Sequence, residues 1–134
     1  MYFICEERER RLLLFSVGGG VHIGERAEDA VVREVFEETG IHYEVDRLAF
    51  IHENFFKGDG SLNGLDCHEI AFYFLMKPKG KQELNSNSYT LNGVKENMIW
   101  IPTQKLHNYK LFPTFIKNKI NNFINSIEHI VTLE

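Results

Sequence analysis

Hydrophobic and polar positions change period along the chain, and each change marks an element. Tyr2–Cys5 and Leu12–Phe15 are short apolar runs separated by the charged stretch 6–11, which predicts two short strands. Three glycines, 18–20, predict a loop. From Ala27 to Thr39 the spacing is helical, with Val31, Val32, Val35 and Phe36 on one arc as the expected buried face. The helix should stop at Gly40, where a C-terminal cap belongs. Its start is weakly marked: Arg26 stands where Ser, Thr or Asp caps best, although Glu28 and Asp29 suit a first turn.

The middle of the chain reads as strand. Residues 41–56 are rich in β-branched and aromatic side chains. Glu69–Met76 is almost continuously apolar, as a strand covered on both faces would be. A turn is predicted at residues 78–80, then a short strand Met98–Ile101 carrying Trp100. From Pro113 onward, Ile116, Ile120, Phe123, Ile124 and Ile127 recur at helical spacing and predict a closing helix. Strands between two helices imply a layered α/β class, here one domain over residues 1–134.

Composition narrows the function classes. A hydrophobic fraction of 43% over 134 residues supports a packed core rather than disorder. No apolar run approaches the ~20 residues of a membrane span, and no secretory pattern is present. Cys5 and Cys67 lack CxxC spacing and predict reduced thiols in a cytoplasmic protein. A formal charge of −4 disfavours nucleic acid as a partner, and an anionic substrate would need a positive mediator.

That mediator has an evident place. On a helical wheel Glu37 and Glu38 fall on either side of Glu34, within an arc of ~100°. Ala27 and Ala30 lie on the same side and would let a loop or substrate approach closely. Like charges at these spacings destabilise a helix by roughly 0.2–0.5 kcal/mol a pair. Three clustered acidic oxygens are what Mg²⁺ or Mn²⁺ requires, and the glycines upstream can offer a carbonyl ligand or amides for phosphate.

The stretch resembles the Nudix box, G-x5-E-x7-R-E-U-x-E-E-x-G-U with U aliphatic. Gly19, Glu25, Arg33, Glu34, Val35, Glu37, Glu38, Gly40 and Ile41 fill every fixed position. The resemblance implies a Nudix-type α/β/α sandwich with a mixed sheet. It also implies a pyrophosphohydrolase, a hydrolase of phosphorus-containing acid anhydrides, acting on a nucleoside diphosphate linked to another group. By position, Glu34 and Glu38 are implied metal ligands for Mg²⁺ or Mn²⁺, with Glu37 a further ligand or base and the Gly18 carbonyl a backbone ligand. Arg33 is implied to orient a motif glutamate, and Glu25 to hold the loop or reach the metal shell. Gly19 and Gly20 would meet the substrate. Glu96 and Glu83 are downstream candidates for a catalytic base, with Glu96 preferred. Phe56 and Trp100 are candidate stacking residues for a base. His22 reads as a surface loop residue. His68 has either a structural hydrogen-bonding role or a place at the cleft.

The substrate is left open between a nucleoside triphosphate and a nucleotide sugar, because signatures of several other Nudix subfamilies are missing. The competing function is a non-catalytic nucleotide-binding or sensor module, although such relatives usually lose box glutamates. Finally, the strand region before the glycines is short. An incomplete sheet edge at Tyr2–Cys5 is therefore expected, covered by a homodimer or else leaving a monomer of reduced stability.

Overall fold

The computed structural model describes residues 2–7, 13–16, 18–78 and 97–133, with side chains described for 18–78 and 98–133. In chain order the elements are β1 (Tyr2–Glu7), β2 (Leu13–Ser16), α1 (Ala27–Thr39), β3 (Val45–Lys57), β4 (Asp66–Met76), β5 (Asn97–Ile101), β6 (Lys110–Phe112), α2 (Ile116–Lys119) and β7 (Glu128–Leu133). This is the mixed α/β class that the sequence predicts. The candidate bases Glu83 and Glu96 lie outside the described residues. Among the described residues no helix is long and apolar enough to cross a membrane.

Two compact units are present, Met1–Glu44 with Pro78–Phe123, and Val45–Lys77 with Ile124–Glu134. The first contains a four-stranded mixed sheet ordered β5-β1-β2-β6. In it β1 runs antiparallel to both β2 and β5, and β2 runs parallel to β6. The expected open edge at Tyr2–Cys5 is thus corrected. Ile4 pairs in register with Ser16 on one side and Ile99 on the other, and β1 is six residues long. A strand from late in the chain covers what looks like an edge in a local reading. Burial in this unit centres on Ile101, Leu106, Leu111, Phe115 and Ile116, together with Ala30, Val35 and Tyr43.

The second unit is a three-stranded sheet ordered β4-β3-β7, antiparallel between β3 and β4 and parallel between β3 and β7. Its buried side chains include Ala49, Phe50 and His52. His52 Nε2 lies 2.7 Å from Thr132 Oγ1, which donates to Asn54 Oδ1 at 2.9 Å. A hydroxyl has one proton, so His52 donates through Nε2–H, and this chain ties β7 to β3.

Two further expectations are corrected here. The closing helix from Pro113 ends as a four-residue α2, and Phe123, Ile124 and Ile127 are exposed. Asn121, Asn122, Asn125 and Ser126 interrupt it with residues that favour turns and caps over helix interiors. The chain then enters strand β7, where burial alternates residue by residue. The strand β4 is not covered on both faces: Ile70 and Phe72 remain 57% and 46% exposed.

Candidate active site

Helix α1 forms where the sequence predicts it. Gly40 adopts φ 72°, a left-handed cap that costs a glycine little, and its N–H donates to the Phe36 carbonyl at 2.7 Å. Thr39, 1% exposed, donates to the Val35 carbonyl and accepts the Ile41 N–H at 3.0 Å, which fixes the chain as it leaves the helix. The buried face differs from expectation. Ala30, Val35 and Thr39 are buried, whereas Phe36 is exposed and stacked on His42 at 3.8 Å. Phe36 lies about 100° round from Val35, which carries it off the core side.

The other side of the helix gathers the box around Arg33. Its guanidinium forks onto Glu25, Nε to Oε1 at 2.8 Å and Nη2 to Oε2 at 3.0 Å. Nη2 also donates to the Gly20 carbonyl at 3.1 Å, and Nη1 donates to Glu34 Oε1 at 2.6 Å. Glu37 is held more loosely, at 3.4 Å. One arginine therefore joins the glycine loop, the helix approach and two turns of the helix. A planar fork can do this and an ammonium cannot. Glu25 takes a further bond from the His22 backbone N–H at 3.0 Å, while the His22 ring stays exposed. Arg33 thus donates to three box glutamates and to the Gly20 carbonyl, an acceptor that has no signature in the sequence.

Electrostatics follow from these contacts. Bonds from Arg33, and then from the His22 N–H, hold Glu25 down from 4.5 to about 2. The same glutamates, Glu25 foremost, raise Arg33 above its ordinary value. A depressed carboxylate stabilises the fold above its unfolded pKa and loses that contribution as pH falls through the folded one. Glu25 should therefore stabilise fully above pH 4.5 and progressively less down to about pH 2. Denaturant melts of wild type and Glu25→Gln should differ by a constant amount near neutrality and converge across that acid window. A difference independent of pH would contradict the assignment.

Gly19 is required by close approach. A Cβ built there would collide with the Glu34 carboxyl group, whereas one at Gly20 would meet nothing within 4 Å. The obstructed group is the end of a flexible side chain, so the fold can absorb the change by moving Glu34. Gly19→Ala should leave stability within about 0.5 kcal/mol, as surface changes usually do, yet lower turnover by roughly tenfold or more by displacing the Glu34 carboxylate, a candidate metal ligand. Wild-type turnover in Gly19→Ala would show that the contact has no functional weight.

The remaining expected site residues are placed unevenly. Glu34, Glu37 and Glu38 sit on α1 in the first unit; Glu38 is half-buried, with Oε2 closed off from solvent. Trp100 is on β5 of the same unit, half-buried, with its indole nitrogen buried. Phe56 belongs to β3 of the second unit and is half-buried. Among the described residues no three acidic or imidazole side chains stand gathered as a ligand cage, since Glu34 is turned onto Arg33. The donor chemistry nevertheless suits a hard divalent cation: three carboxylates lie within two helical turns, beside a glycine that leaves room over Glu34. A group that the sequence pattern does not assemble lies in the second unit, where Glu53 accepts from both His68 and His129.

Comparison with known proteins bears on this arrangement. A MutT-like protein of Streptomyces ambofaciens is 37% identical over 73 residues, 54% of this chain and 41% of that protein. The chain thus spans less than half the length of that relative. The family model described as the NUDIX domain matches residues 4–121 and so runs through both compact units. Extending over most of the sequence, from Ile4 to Asn121, this match shows that the chain belongs to the NUDIX domain family.

Proposed function

We propose that this chain is a metal-dependent pyrophosphohydrolase. Its substrates would be nucleoside diphosphates linked to another group, of the nucleoside triphosphate or nucleotide sugar class. The observation that carries this reading is the Arg33 fork, which ties Glu25, Gly20 and Glu34 into one loop-and-helix platform. A platform held this tightly at the base of a carboxylate cluster suits positioning rather than mere solubility.

Glu34, Glu38 and the Gly18 carbonyl would hold Mg²⁺ or Mn²⁺, with Glu37 as a further ligand or as the base. Bound there, the cation would neutralise the pyrophosphate and polarise its oxygens. The chain's own groups do the rest. Arg33 fixes the orientation of Glu34. Glu37 is 55% exposed and only loosely held, so its carboxylate can accept a proton from water. Glu96 is a second candidate for that base. Gly19 and Gly20 would bring backbone close to the phosphates, and Trp100, in the same unit as the box, would stack against a base. Residues 1–134 would act as one domain. The Cys67 thiol, which forms no disulfide, fits a cytoplasmic setting.

Phosphate release from a panel of nucleotides, with Mg²⁺ and then with Mn²⁺, tests the proposal. Turnover of at least one diphosphate-linked nucleotide is expected. Tight nucleotide binding without turnover of any would replace it with the binding-module reading.

A further inference from the structure

The register of the three-stranded sheet puts Phe55, Ile70, Phe72, Val131 and Leu133 on one face. Glu53 pairs with Ile70 and Val131, Phe55 with His68 and Leu133, and Ile51 with Phe72 and His129. Residues directly opposite in neighbouring strands share a face. The five apolar side chains are 38%, 57%, 46%, 56% and 85% exposed, respectively. At those exposures they present roughly 600 Å² of surface, at the top of what a soluble monomer usually leaves open in one patch.

The polar groups of this face are already satisfied within it. Glu53 Oε1 lies 2.8 Å from His129 Nε2, and Oε2 lies 3.1 Å from His68 Nε2. His68 in turn stacks on Phe55 at 4.2 Å. At one end Lys57 pairs with Asp66. Every carboxylate named here therefore has its counter-group on the same face. Covering the sheet would strand no charge, so the main penalty of burying polar groups is small. A self-neutralised face also selects no partner by opposite charge.

We propose that this face is a self-association surface that docks a second copy of the chain, sheet against sheet. A face that is apolar with an internally closed polar centre is complementary to itself, as a two-fold interface requires. Counting Glu53 and the two imidazoles, each copy would contribute on the order of 800 Å², the half-interface of a standard-sized complex. The overall charge of −4 opposes association only weakly, because repulsion between groups beyond about 10 Å is screened at physiological salt. This surface replaces the N-terminal edge as the site of a homodimer, and it is independent of the hydrolase reading.

Sedimentation velocity of the full chain from about 1 to 100 μM, spanning micromolar dissociation constants, is the test. A mass rising from monomer to dimer is expected. Phe72→Lys and Val131→Lys should each weaken the dimer at least about tenfold, with circular dichroism unchanged. Ile70→Thr, which keeps a β-branched residue in the strand, should shift it less in the same direction and stands in if a lysine variant fails to fold. A monomer across the whole range, or a dimer indifferent to these substitutions, overturns the proposal. So does hydroxyl-radical footprinting that finds Phe72 shielded in the dilute monomer, since the chain would then cover the face itself.

Discussion

Glu38→Gln is expected to lower turnover on the order of 10²-fold or more, the scale of losing one electrostatic stabiliser, while the fold is kept or slightly strengthened. Glu38 sits two residues before the Gly40 cap, on the border between buried Val35 and Thr39 and the carboxylate arc. Glutamine keeps its shape and an oxygen, but not the charge that a hard cation needs. Stability should move the other way. Glu37 and Glu38 stand at the helix C-terminus, where the dipole disfavours carboxylates, and the last turn holds no basic residue. Removing one charge should therefore raise stability by a few tenths of a kcal/mol in cation-free buffer. Opposite movements of rate and stability would mark a group kept for function. Near wild-type rates under limiting Mg²⁺ would remove Glu38 from the metal site.

The second large effect is expected at Arg33. Arg33→Lys keeps the charge yet cannot reach both Glu25 oxygens, the Gly20 carbonyl and Glu34 at once. The glycine loop should loosen from the helix. We expect kcat/KM to fall by roughly 10- to 100-fold, as misplacement of positioned groups does, with a lower melting temperature. Because Glu25 and Arg33 act through one contact, the double variant Arg33→Lys with Glu25→Gln should fall well short of the summed single effects. Additive losses, or a lysine variant with wild-type activity, would show that the fork does not position the site.

Helix α1 was legible because its signals are local. Its bounds follow from apolar spacing and from Gly40, whose left-handed conformation few other residues adopt cheaply. A bond from Arg33 to some box glutamate was implied only through the resemblance of the whole box, and that Glu25, eight residues away, takes its fork needs the folded loop. Gly19 against Glu34 needs the folded loop to be seen at all. The sheets were harder. Strand β1 looked like an edge because its partner β5 begins at Asn97, far along the chain. The segment Ile116–Ile127 looked helical because five apolar residues share the right spacing, but spacing does not register the low helix preference of the asparagines between them. Strand β7 then gains its stability from parallel pairing with β3, a contact with no trace in the local pattern.

The central claim, that the box glutamates hold a cation that lets an acidic chain hydrolyse a pyrophosphate, is tested most directly by the cation dependence of turnover. Initial rates on the best nucleotide of the panel should be measured for metal-stripped wild type across a Mg²⁺ titration, beside Glu34→Gln and Glu38→Gln. The expected result is negligible turnover after stripping and full recovery on titration for wild type. The variants should need far more cation and reach a lower maximum. Turnover that survives stripping, or variants whose cation response matches wild type, would contradict the claim.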